Sequence, residues 1–179
     1  MFRIHTTTTV TLLLILILFL LPSCGTTDRI NYLSYQSYPF NTHGLLSFDG
    51  TEYEILVTVR QAGDLRLQIV KPERLTGTVL SLSDGTTTLT YDSVTTVLND
   101  GGYTTREGLL LASAIFSLSG NSYAGAGVTT EKGIKYSYAS YTLPEGTVTV
   151  YMQSGLDRPD KIAATLNGHT LLFRFMNES

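Results

Sequence analysis

From Thr42 onward the chain alternates apolar and polar side chains with a period of two. Tyr53, Ile55, Val57 and Val59 interleave with Glu52, Glu54, Thr58 and Arg60, and Leu65, Leu67 and Ile69 with Arg66 and Gln68. Further on, Val148, Val150 and Met152 alternate with Thr147, Thr149 and Gln153, and Leu171, Phe173 and Phe175 repeat the pattern. This is the signature of antiparallel strands covered on one face. Asp49-Gly50, Gly63-Asp64, Asp84-Gly85 and Asn167-Gly168 fall between such runs. They supply the positive φ that tight hairpin turns need, so a meander is expected. One stretch breaks the rhythm. Residues 106–118 hold Leu109, Leu110, Leu111, Ala112, Ala114, Ile115, Phe116 and Leu118. Thr104 and Glu107 have capping-box spacing, and Gly120 suits a C-terminal cap. A helix apolar on most sides must be buried on most sides. The expected fold is therefore mainly β, a curved antiparallel sheet (half-barrel) with one hydrophobic helix packed in its concave face.

The N-terminal residues read as a targeting segment. Arg3 precedes an apolar run over residues 10–21, interrupted only by Thr11, and Pro22-Ser23-Cys24-Gly25 follows. The run is shorter than the roughly 20 apolar residues of a membrane span, and the order of charge, apolar core and small residues is that of an export signal. Leu21-Pro22-Ser23-Cys24 resembles the bacterial lipobox, which implies cleavage before Cys24 and a diacylglyceryl group on its thiol. Cys24 is the only cysteine, so an intrachain disulfide is excluded. Two acyl chains would anchor the chain stably, at about 0.8 kcal/mol per buried CH₂. The expected organisation is a lipoprotein signal peptide over 1–23, a tether over 24–41 and a half-barrel domain over 42–179. Tyr32, Tyr35 and Tyr38, at three-residue spacing, suit either a short helix laid against the domain or a tether that becomes structured near Pro39; the tether is preferred.

Composition narrows the function by subtraction. The formal charge is −3 and falls by one when Arg3 leaves with the signal. There is no basic stripe, which argues against nucleic-acid binding. His43 and His169 lack a partner at metal-ligand spacing. No Gly-x-Ser-x-Gly elbow is present. Glu52 and Glu54 share a strand face and are read as solvated rather than as a catalytic pair. Ala124-Gly125-Ala126-Gly127 lacks the spacing of a dinucleotide loop and is read as a loop or strand edge. Tyr136 and Tyr138 either line a ligand site or pack at a sheet margin. No catalytic residue, metal site or cofactor is expected.

Val70-Lys71-Pro72-Glu73-Arg74-Leu75-Thr76-Gly77 and Leu89-Thr90-Tyr91-Asp92, with Gly155-Leu156-Asp157-Arg158-Pro159 and Lys161-Ile162-Ala163-Ala164-Thr165-Leu166 later in the chain, resemble the LolA/LolB lipoprotein-carrier superfamily, in particular small LolA-like lipoproteins of Clostridia. The resemblance covers roughly residues 42–175. It implies an open half-barrel whose concavity holds acyl chains, with the helix as lid. The absence of Trp implies a smaller pocket than the best-known carriers have. On that reading Leu109, Leu110, Ile115, Phe116, Tyr136 and Tyr138 are the ligand-lining candidates, and Cys24 is the lipid attachment site. The expected partners are a membrane, a lipid or other hydrophobic ligand, and an envelope protein. The competing expectation is a structural or regulatory interaction lipoprotein with a filled core and no ligand. Either way the chain belongs at the extracytoplasmic face of a membrane. In a Gram-negative host, Gly25 lacks the Asp linked to inner-membrane retention and points to the outer membrane.

Overall fold

The alternation translates directly into strands. The computed structural model describes residues 31–98, 112–118, 120–156 and 158–176, which form one compact unit from Tyr32 onward. Among these residues are eleven strands: β1 (Phe40–Phe48), β2 (Thr51–Gln61), β3 (Asp64–Lys71), β4 (Val79–Ser83), β5 (Thr86–Tyr91), β6 (Val94–Val97), β7 (Tyr123–Glu131), β8 (Ile134–Leu143), β9 (Gly146–Gln153), β10 (Lys161–Leu166) and β11 (His169–Phe175). The expected turn dipeptides close hairpins, with Asp49, Asp84 and Asn167 each taking a positive φ ahead of a glycine.

All eleven strands join one antiparallel sheet in the order β6-β5-β4-β3-β2-β1-β11-β10-β9-β8-β7. Two local meanders are thus sealed side by side. The seam is the pairing of β1 with β11, which sets Leu46 opposite Phe173 and Gly44 opposite Phe175. Consecutive strands β6 and β7 stand at opposite edges. Among the described residues they do not pair, so the sheet is open. The chain between them has to travel from one edge to the other, and its described part, 112–118, lies on a sheet face.

That face is the apolar one. Ile55, Val57, Val59, Leu65, Leu67, Val148, Val150, Ile162, Leu166, Leu171 and Phe173 are buried there in a single cluster with Ala112, Ile115, Phe116 and Leu118. Period two puts the alternate residues of each strand on the opposite face. Gly44 is required at the seam for space rather than for φ. A Cβ there would lie 2.4 Å from the Phe173 ring and 2.4 Å from the Arg174 carbonyl oxygen. The expected helix over 106–118 is described only from 112, where a single helical turn spans 112–115 and a bend follows; 106–111 lie outside the described residues. Gly120 opens a short 3-10 turn, Gly120–Ser122, that leads into β7.

Candidate functional site

Residues 112–118 form a cover on the core face. Ile115 and Phe116 are fully buried. The Phe116 ring meets Phe173 edge to face at 5.1 Å and Phe40 at 6.0 Å. A helical turn leaves its last carbonyls without intrahelical partners, and burial makes such orphans costly. The segment before β1 supplies the missing groups. The Tyr35 hydroxyl donates to the Ile115 carbonyl at 2.9 Å, and the Tyr38 hydroxyl donates to the Phe116 carbonyl at 3.4 Å. The Gln36 carboxamide, oriented so that both its atoms are satisfied, donates to the Leu118 carbonyl at 2.7 Å and accepts from the Leu118 amide at 3.0 Å.

Tyr35 reaches the cover because Ser34–Gln36 is a 3-10 turn, which turns its ring onto Phe40 and Phe175 at 6.1 and 5.7 Å. Burial pushes its phenol well above the usual tyrosine range, which keeps it protonated and able to donate. Of the two sequence readings of this segment, the short helical turn laid against the domain is the one found. Residues 32–41, placed in the tether by sequence, belong to the compact unit. The signal was the three-residue spacing of Tyr32, Tyr35 and Tyr38; Gln36 carried none.

Of the ligand-lining candidates, the four that are described fall on two faces of the sheet. Ile115 and Phe116 sit together in the core, while Leu109, Leu110 and Cys24 lie outside the described residues. Tyr136 and Tyr138 stand opposite Gln153 and Tyr151 in the β8–β9 register, on the face turned away from Val150 and Phe116. They form an aromatic group with Tyr151, whose ring is 6.2 Å from that of Tyr136 and 5.9 Å from that of Tyr138. Lys161 places its ammonium 4.9 Å from the Tyr136 ring centre and 4.6 Å from that of Tyr151, and pairs with Glu131. This is a cation held between two ring faces. Burial, then the Asp160 carboxylate, holds the Tyr136 phenol above its usual range.

The same face carries a second ionic group. Glu54, expected to be solvated, is only 12% exposed and bridges Lys71 at 2.7 Å and His43 at 3.0 Å. The register explains this, since Lys71 stands directly across from Glu54. The Lys71 hydrogen bond holds the Glu54 carboxyl below the usual carboxylate range. At the end of the seam Asp49 meets His169 Nδ1 at 2.6 Å and accepts the Thr170 amide at 2.9 Å. Among the described residues no three His, Cys, Asp or Glu side chains group to hold a metal ion, and no helix is long and apolar enough to cross a membrane.

No family model matches the chain, and no curated protein matches it. Solved structures do. A LolA-superfamily protein of Nitrosomonas europaea is 10% identical over 84% of this chain and 89% of its own, with a TM-score of 0.45. The lipoprotein LppX of Mycobacterium tuberculosis is 9% identical over 77% of this chain and 85% of its own, with a TM-score of 0.42. A chain in the complex of the CwlD amidase with the GerS lipoprotein of Clostridioides difficile is also similar, at 14% identity over 72% of this chain and 76% of its own, with a TM-score of 0.40. What the present chain binds has to be sought in its own residues.

Proposed function

We propose that this chain is an envelope lipoprotein, anchored through lipid on Cys24, whose core face curves into a half-barrel and takes a lipid or another hydrophobic ligand under the 112–118 cover. The observation that carries this reading is the way the core is closed. An eleven-stranded apolar face is covered at its centre by Ala112, Ile115, Phe116 and Leu118 from the edge-to-edge connection. Toward both edges the same face stays open to solvent. The register places Tyr91 and Val94 on it at one edge, and Tyr123 and Val128 at the other, and all four are at least half exposed. Apolar surface of this kind, continuous with a buried centre, is what an acyl chain needs. No catalysis is part of the proposal.

A second reading is favoured by the complete burial of Ile115 and Phe116. In it the cover is ordinary core, and the protein acts through its edges or its polar face on an envelope partner. Native mass spectrometry of the purified chain, followed by titration with a fluorescent fatty acid, separates the two. Co-purified lipid or saturable fatty-acid binding supports the first. A ligand-free mass with no fatty-acid binding rejects it and leaves the interaction lipoprotein.

A further inference from the structure

We propose that residues 32–38 are a strap that fastens the 112–118 cover to the core face, so that releasing the strap frees the cover while the sheet stays folded. The inference about fastening stands on geometry alone; its consequence for ligand entry rests on the lipid-binding reading above.

Three neighbouring strap residues reach three neighbouring positions of the cover. Tyr35 and Tyr38 donate to the carbonyls of Ile115 and Phe116, and Gln36 satisfies both the amide and the carbonyl of Leu118. The Ile115 carbonyl is one that the end of a helical turn leaves without an intrahelical partner, and the Phe116 and Leu118 groups lie just beyond that turn. Ile115, Phe116 and Leu118 are buried, so water is poorly placed to replace the strap. Sheet strands satisfy one another along the ladder, but a segment lying across their face gets no ladder bonds and depends on side chains. The strap is itself held by ring contacts of Tyr35 with Phe40 and Phe175 and of Tyr38 with Phe40. Strap, cover and the start of β1 therefore form one unit around Phe40, which also touches Phe116.

Position in the chain gives this contact a use. The strap follows Cys24 closely, and the steps from Cys24 to Tyr32 can span at most about 30 Å even when fully extended. A chain lipidated at Cys24 would thus hold its strap near the bilayer surface. Force or lipid contact there would act first on the bonds to Ile115, Phe116 and Leu118, and the cover would respond before the sheet does.

The test uses the full chain with Tyr35→Phe, Gln36→Ala and Tyr38→Phe combined, which removes the hydrogen bonds and keeps the rings. Hydrogen exchange is followed at 112–118 and, for comparison, in β9 and β10, and uptake of a fluorescent fatty acid is timed on the same samples. A lost hydrogen bond changes a local opening equilibrium by about fivefold, so exchange at 112–118 should accelerate roughly tenfold or more while β9 and β10 stay unchanged. Unchanged exchange at 112–118 overturns the strap, as does an equal rise throughout the sheet. Fatty-acid binding by the parent with unchanged exchange removes the strap and leaves the lipid reading intact. Local acceleration with no binding by either protein establishes the strap and removes the lipid reading.

Discussion

The rings of Phe116 and Phe173 meet edge to face, with centroids 5.1 Å apart and planes at 80°. One belongs to the cover, the other to the strand that seals the sheet at its centre. Aromatic pairs of this geometry contribute about 0.5–1.5 kcal/mol beyond the area they bury, and here the pair also sets where the edge-to-edge connection touches the sheet. Phe116→Ala removes one partner and leaves a void among Phe40, Phe173 and Ile115. If the cover is fixed core, the loss is about 3–5 kcal/mol, read as a fall in Tm of roughly 6–20 °C. A smaller fall, accompanied by altered fatty-acid uptake, would mark the cover as a movable lid.

Gly44 and Gly125 should respond oppositely to the same substitution. At Gly44 a Cβ meets backbone and ring atoms at 2.4 Å, whereas at Gly125 it meets nothing within 4 Å. Gly44→Ala is expected to destabilise by about 1–3 kcal/mol through forced displacement of the seam. Gly125→Ala, on the β7 edge, should stay within about 0.5 kcal/mol. Urea midpoints of the two variants, measured side by side, check both.

Asp49 ties stability to acid pH. The His169 hydrogen bond and the Thr170 amide hold its carboxyl below the ordinary range. A depressed folded-state pKa means that the contribution is present above the unfolded value and is lost as pH falls through the folded one. Asp49→Asn should therefore lower the urea midpoint at neutral pH and flatten the decline toward acid. An acid decline identical to that of the parent would show that this contact contributes nothing.

Cys24→Ser tests the anchor. It should abolish labelling by a clickable palmitate analogue in cells and block lipoprotein-type cleavage. Retained label on the variant would place the lipid elsewhere or reject lipidation at this residue.

Much of the sheet was legible because its face is half buried. Strands β2, β3, β9 and β11 follow the alternation of Ile55 to Val59, Leu65 to Ile69, Val148 to Met152 and Leu171 to Phe175, and their hairpins follow the Asp, Asn and Gly turn residues. Ala124-Gly125-Ala126-Gly127 lies in edge strand β7, consistent with its reading as a loop or strand edge. The seam was not legible. Pairing of Leu46 with Phe173 depends on residues far apart in sequence, and period two says which face a residue takes but not which strand it joins. Glu54 was misread for the same reason, since its neutralising partner Lys71 is set by register. Nor could spacing separate Ile115 and Phe116 from Tyr136 and Tyr138. All are large and apolar-bodied, and only the β8–β9 register sends the tyrosines to the other side. Gln36 carries no signal in the sequence because its role is to satisfy backbone atoms of Leu118.

The seam also dictates an order of events during synthesis. A chain that emerges from its N-terminal end can lay down β1 to β6 as local hairpins, but the free flank of β1 must wait for β11, about 120 residues later. Until then the strand destined for the centre of the sheet is an edge, with unpaired amides and carbonyls and with Leu46 uncovered on one side. A chain cut short before β11 would keep that edge permanently. Such a fragment should behave as an aggregation-prone half-sheet even though every hairpin within it is correct.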